Sequence, residues 1–227
     1  MKLHRIWLRA AIPAAGVAVL TAALGDHRDV ADEVRHGELL YMSRVGWVNR
    51  RHARDSGVRA FWADLNARLD QARSFPVEVV YGQGMAGLYG PFRIATRVER
   101  RYSIHRSLTQ AERKAAAWQI FQETSEAFED LQGRWPNCLD RAAVHSSWRE
   151  GDLAGNWIAF QTAVEGRSQT EVEADLGEAD VASSLQRVKA QPPRKSRHWP
   201  VPMDYRSPGA EVEFLTEKRA SWRVSWR

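Results

Sequence analysis

The stretch "SFPVEVVYGQGMAGLYGPFRIATRVERRYSIHRS", residues 74–107, decides the fold. Within it Phe92, Ile94, Thr96, Val98, Tyr102 and Ile104 alternate with Arg93, Arg97, Glu99, Arg101 and Ser103. A period of two puts one set on each face of a pleated strand, so this is a strand buried on one side only. Residues 77–81 supply a partner strand, and the glycines at 82, 84, 87 and 90 read as the hairpin loop between them, a loop that could close over a cleft. They do not form a phosphate-binding loop, since no Lys-Ser/Thr follows and no helix opens there.

The flanking segments carry helical spacing instead. Val58, Phe61, Trp62, Leu65 and Leu69 fall on one stripe of a helix expected over 48–72. "SLTQAERKAAAWQIFQETSEAFEDLQ" predicts a second helix over 109–132. Thr109 and Glu112 have capping-box spacing there, and Ala117, Trp118, Phe121, Phe128 and Leu131 form the apolar face. Glu123, Glu126 and Glu129 project from the other side and read as a solvated acidic face. A third helix over 149–165 is announced by Ser147-x-x-Glu150. One of its faces carries Leu153, Trp157, Phe160 and Val164. The other carries Asp152, Gly155, Asn156, Ala159 and Ala163, small and polar, which permits close backbone approach and lets Asp152 and Asn156 point into something. The expected fold is therefore α+β: a predominantly helical single domain with a small antiparallel sheet from 38–42, 77–81 and 92–104.

The two ends read differently from the middle. Lys2, His4, Arg5 and Arg9 precede "AAIPAAGVAVLTAAL", an uncharged run of about 15 residues, the pattern of a secretory signal. Residues 1–25 are expected to be a signal peptide ending at the small residues Ala23 and Gly25, or else an uncleaved anchor over 10–24. Without them Lys+Arg falls from 33 to 30 against 28 Asp+Glu, so the basic balance of the full chain is largely the targeting segment. A nucleic-acid partner is not expected, because that requires a concentrated basic surface. Residues 26–166 form the core domain, and 167–227 a C-terminal extension. In the extension, Leu176, Leu185 and Val188 suit an amphipathic helix. The proline-punctuated remainder suits a strap pinned by Trp199, Tyr205, Phe214 and Trp222, or one partly without order. Cys138 is the single cysteine, so no internal disulfide can form, and a small buried role suits it better than a nucleophile.

Chemistry-bearing residues are sparse. At 100° per residue His52, Asp55 and Arg59 share a strip on the shoulder of the apolar stripe of the 48–72 helix. A carboxylate there can fix a histidine tautomer, making His52 a general base or a metal ligand at i, i+3 with Asp55. The plainer alternatives are an Asp55–Arg59 helix ion pair, or Asp55 or Ser56 capping a helix that begins near Gly57. His105 and His145 are lone loop histidines. No HExxH, Cys-x-x-Cys or Gly-x-Ser-x-Gly occurs, and no motif names a cofactor. Ten tryptophans serve a core first and a ring-lined groove for sugar or lipid second.

"GELLYMSRVGWVNRRHARD" and "SSWREGDLAGNWIAF" resemble two stretches of a bacterial domain family of unknown function, the one numbered 4056. In that family the first runs Gly, hydrophobic, Tyr, then Arg-x-Gly-aromatic, then His-x-Arg-Asp. In the second a serine and an aromatic residue precede Asp-Leu-x-x-Asn. The matching positions are Tyr41, Arg44, Gly46, Trp47, His52, Arg54 and Asp55, then Ser147, Trp148, Asp152, Leu153 and Asn156. The resemblance spans roughly residues 36–165 and departs at Asn49, where an acidic residue is expected, and at Ala159, where glycine is expected. It implies no reaction. It does imply that the helix runs through Gly57, and it focuses the candidate site on His52, Asp55, Asp152 and Asn156. The expected function is that of an exported hydrolase acting on a cell-envelope component. The alternative is a non-catalytic envelope module that binds a glycan, lipid or peptide.

Overall fold

The computed structural model describes residues 30–54, 57–89, 92–133, 147–177, 179–199, 212–221 and 225–226. Its elements in chain order are α1 (Val30–Arg35), β1 (Leu39–Met42), β2 (Gly46–Asn49), α2 (Val58–Gln71), β3 (Val77–Tyr89), β4 (Phe92–Ile104), α3 (Gln110–Gln132), α4 (Asp152–Val164), α5 (Gln169–Leu176), α6 (Val181–Ala190), β5 (Val212–Ser221) and β6 (Ser225–Trp226). This is one α+β domain with six helices and two antiparallel sheets among the described residues.

Residues 92–104 form the expected strand, with Thr96, Val98, Tyr102 and Ile104 buried and Arg97 and Arg101 exposed, but Ser103, expected on the solvated face, is buried next to the register shift at Arg101/Tyr102. Its neighbours differ from expectation. β3 does not stop at Tyr81: Gly82, Gly84 and Gly87 pair within the strand, and the register runs unbroken from Val77↔Ile104 to Tyr89↔Phe92. A Cβ at Gly82 would lie 2.7 Å from the carbonyl oxygen of Val98, so glycine there serves a close strand approach and not a loop. Gly90 lies outside the described residues. On the other side of β4, β5 pairs from Val212↔Ile104 to Thr96↔Ser221 with a register shift at Arg101/Tyr102. The C-terminal extension thus supplies a sheet strand.

Leu39–Met42 does not join this sheet. It pairs with Gly46–Asn49 in a separate hairpin, Leu39↔Asn49 to Met42↔Gly46. The helix expected over 48–72 is consequently shortened at its start. Trp47, Val48 and Asn49 are strand residues, and residues 50–54 form turns. Gly57 takes φ 85°, a left-handed conformation incompatible with a helix interior, so α2 opens at Val58 and does not run through Gly57. The stripe Val58, Phe61, Leu65 and Leu69 is buried as expected.

α3 begins where the sequence places it, with Thr109 and Glu112 completing a capping box. The second predicted cap does not form. α4 opens at Gly151, φ 102°, without a side-chain cap, and Ser147 donates instead to the carbonyl of Glu129 at 3.0 Å. One amphipathic helix was expected after residue 167. Two form, because Gly177 at φ 103° ends α5 before Asp180 caps α6.

The main core lies between β3/β4 and helices α2, α3 and α4, around Tyr81, Tyr102, Trp118, Phe121 and Phe160. At roughly 1.5–3 kcal/mol per buried large side chain, this cluster dominates the stabilisation. The β1–β2 hairpin packs on α4 through Met42, Val48, Ala154 and Ile158, and α1 and α6 cover its other side at Val34, Leu39 and Trp47. Residues 191–199 form a strap, as expected, but Phe214, expected as one of its pins, stands instead in β5 and is exposed. Glu150 N donates to Arg194 O at 2.6 Å, Ser196 N donates to Trp148 O at 2.7 Å, and Trp199 stands edge-on to Trp118 at 5.0 Å. Tyr205 and Trp222 lie outside the described residues. No helix among them is long and apolar enough to cross a membrane.

Candidate functional site

Three segments remote in sequence converge beside the hairpin. Asn49 ends β2 and holds the following turn: its side-chain oxygen accepts from Arg51 N at 3.1 Å, and its carbonyl accepts from His52 N at 3.1 Å. That turn presents His52. α4 lies against it so closely that a Cβ at Gly155 would stand 2.2 Å from Asn49 O and 2.7 Å from His52 Cβ. The small face read from the sequence is therefore a contact face, and it presses the His52 turn onto the start of α4.

At that start sits Asp152, completely buried. Its Oδ1 accepts from the Asn49 side-chain amide at 2.8 Å and lies 3.6 Å from His52 Nε2, while Oδ2 accepts from Arg149 N at 3.1 Å. The third member is Glu129, near the end of α3 and 1% exposed. Its Oε2 accepts from Trp148 N at 2.7 Å. Trp148 takes φ 54°, a strained value for a bulky residue, and this conformation delivers its N–H to the carboxylate. One ligand atom each from His52, Glu129 and Asp152 lie within 4.8 Å of one another. His52 alone of the three reaches solvent, its side chain 21% exposed.

Burial controls the charges. Desolvation pushes the Glu129 carboxyl up to about 7, and the Asp152 charge reinforces this, whereas His52 and the Trp148 N–H oppose it. Desolvation also raises Asp152, against His52, Asn49 and Arg149. Lys195, from the strap, is lowered by desolvation, against the pull of Asp152 and Glu129, and its Nζ donates to Ser147 O. The pair of acids therefore holds a proton to higher pH than free carboxyls do. A divalent cation could take that proton's place, because one imidazole nitrogen and two carboxylate oxygens are donors suited to zinc or manganese.

Of the residues expected in a site, His52 and Asp152 are brought together. Asn156 is buried one turn further along α4. Asp55 lies outside the described residues; His52 occupies a turn ahead of α2, which opens at Val58, so His52 and Arg59 do not share a helical strip. Asp152 is the carboxylate beside the imidazole. Glu129, expected on a solvated face, is instead sealed, because Ser147 and Trp148 wrap the end of α3. Its companions are engaged as well: Glu123 accepts from Tyr102 and Glu126 from Trp199. In the sequence Asn49 stands out only as a departure from the pattern of the family it resembles. Nothing in the sequence marks Lys195, which comes from the other end of the fold. His105 is exposed and faces Glu213 at 2.8 Å, away from the centre. Cys138 and His145 lie outside the described residues.

The fold and site together define an α+β protein with a carboxylate–histidine centre at a helix–hairpin junction. No protein-family model matches the chain, and neither a curated protein nor a solved structure matches it.

Proposed function

We propose that the protein is exported and acts as a hydrolase on a component of the cell envelope, with its centre at His52, Asp152 and Glu129. The observation that carries this reading is the placement of a partly solvent-facing imidazole 3.6 Å from a sealed carboxylate, with a second sealed carboxylate alongside. A divalent cation held by these three side chains would activate water at neutral pH. His52 is the group a substrate meets, and Asn49 and the Arg149 N–H fix the carboxylate behind it. Export rests on the basic and apolar character of residues 1–25. The likeness to the family numbered 4056 is a proposal about ancestry and adds no reaction.

A second reading has its own observation. Both oxygens of Asp152 already accept hydrogen bonds, as a structural polar core requires. In that case the protein is a non-catalytic envelope module that binds a glycan, lipid or peptide. Thermal unfolding of the purified full-length chain with and without zinc or manganese separates the two. A metal-dependent shift that His52→Ala abolishes supports the centre, and its absence in the wild type supports the module.

A further inference from the structure

The turn that presents His52 also builds one wall of a surface cavity of about 240 Å³. The cavity is lined by His36, Gly37 and Glu38 on one side, by Arg50, Arg51 and Arg54 on the other, and by Gln169. The arginines are set there by the backbone: Arg50 N donates to Glu38 O at 2.7 Å and Arg54 N to Arg51 O at 3.4 Å. Their guanidinium groups are not equivalent. Arg50 is clamped by Glu173 through two hydrogen bonds of 2.7 and 3.2 Å, so its charge is matched and its position fixed. Arg51 forms an ion pair with Glu38 at 3.7 Å, too long for a hydrogen bond, and no ion pair is seen for Arg54 among the described residues.

The lining therefore carries three guanidinium groups against two carboxylates, Glu38 in the wall and Glu173 behind it, a surplus of one positive charge, and Arg51 and Arg54 hold no hydrogen-bonded carboxylate among the described residues. From these residues the geometry points to an oxyanion-binding subsite for a phosphate group of the substrate. A carboxylate needs one guanidinium fork, whereas a doubly charged phosphate uses several donors at once. The cavity has room for a phosphate and part of what it is attached to, since one water occupies about 30 Å³. His52 lies between Arg51 and Arg54 in the chain, so the subsite and the reactive centre share one turn. This deepens the proposed hydrolytic reading by naming the substrate class, a phosphorylated envelope molecule. The subsite itself stands on the cavity.

Calorimetric titration of the full-length protein with inorganic phosphate and with glycerol 3-phosphate tests it. Both probes bind the wild type, and Arg51→Gln/Arg54→Gln weakens each about tenfold or more. Tighter binding of the ester marks the substrate-borne group, and tighter binding of the free ion marks inorganic phosphate as the occupant. His52→Gln retains phosphate binding even if it abolishes the metal response, so failure of the subsite and failure of the centre are told apart. Absence of binding by either probe, or binding indifferent to the double variant in a folded protein, overturns the proposal.

Discussion

Asn49 donates its side-chain amide to Asp152 Oδ1 at 2.8 Å, and the same oxygen lies 3.6 Å from His52 Nε2. An amide at position 49 supplies a donor where a carboxylate would add a third negative charge. Asn49→Asp is therefore expected to destabilise the metal-free protein by about 1–3 kcal/mol, the cost of a lost buried hydrogen bond and an added charge. Manganese should restore much of that loss, which denaturant titration with and without the metal measures.

Gly155 is the contact through which α4 meets the His52 turn. Gly155→Ala forces a methyl group against Asn49 O and His52 Cβ, and overpacking of this kind costs about 1–3 kcal/mol. The variant should unfold at lower denaturant and lose metal affinity together, because the turn must move off α4.

Glu129 gives the protein a pH signature. Its carboxyl is raised to about 7 in the folded state, from an ordinary value of 4.5. Below about 4.5 both folded and unfolded chains hold the proton, and the two states do not differ. Between 4.5 and 7 the folded state keeps a proton that the unfolded state has released, so stability falls as pH rises, by on the order of 3 kcal/mol in all. Chemical unfolding in the presence of a chelator at pH 5, 6, 7 and 8 should show this decline. Glu129→Gln should make it shallower, leaving the part that comes from Asp152, whose carboxyl burial also raises.

Lys195 places a positive charge near both carboxylates and competes with any cation bound there. Lys195→Met should tighten manganese binding several-fold in a direct titration. A weaker affinity would mean that the lysine positions the strap more than it opposes the metal.

The sequence showed the periodic parts of this structure and missed the parts decided by tertiary contact. The alternation through Val98, Tyr102 and Ile104, the capping box at Thr109 and the stripe Val58–Leu69 are local patterns, and each forms where it was read. Residues 48–54 do not form the expected helix, because "VNRRHAR" has neither a clear alternation nor a clear helical stripe. Gly46–Asn49 is a strand only because Leu39–Met42 pairs with it. Asp152 was legible from the small, polar face of α4. Glu129 was not, since a helix buried on one side by the sheet and on the other by Trp148 breaks the assumption of a single apolar face. Lys195 depends on where the strap crosses, which no local pattern encodes.

The most direct measurement is thermal unfolding of the full-length protein and its His52→Ala variant, each with and without zinc or manganese. The wild type should gain several degrees on metal addition, a stabilisation of about 3–4 kcal/mol at 100–1,000 times the dissociation constant. His52→Ala should keep nearly the wild-type metal-free Tm and lose the gain. A variant that unfolds far below the wild type without metal, or two proteins that respond to metal alike, would contradict a functional centre at His52, Glu129 and Asp152.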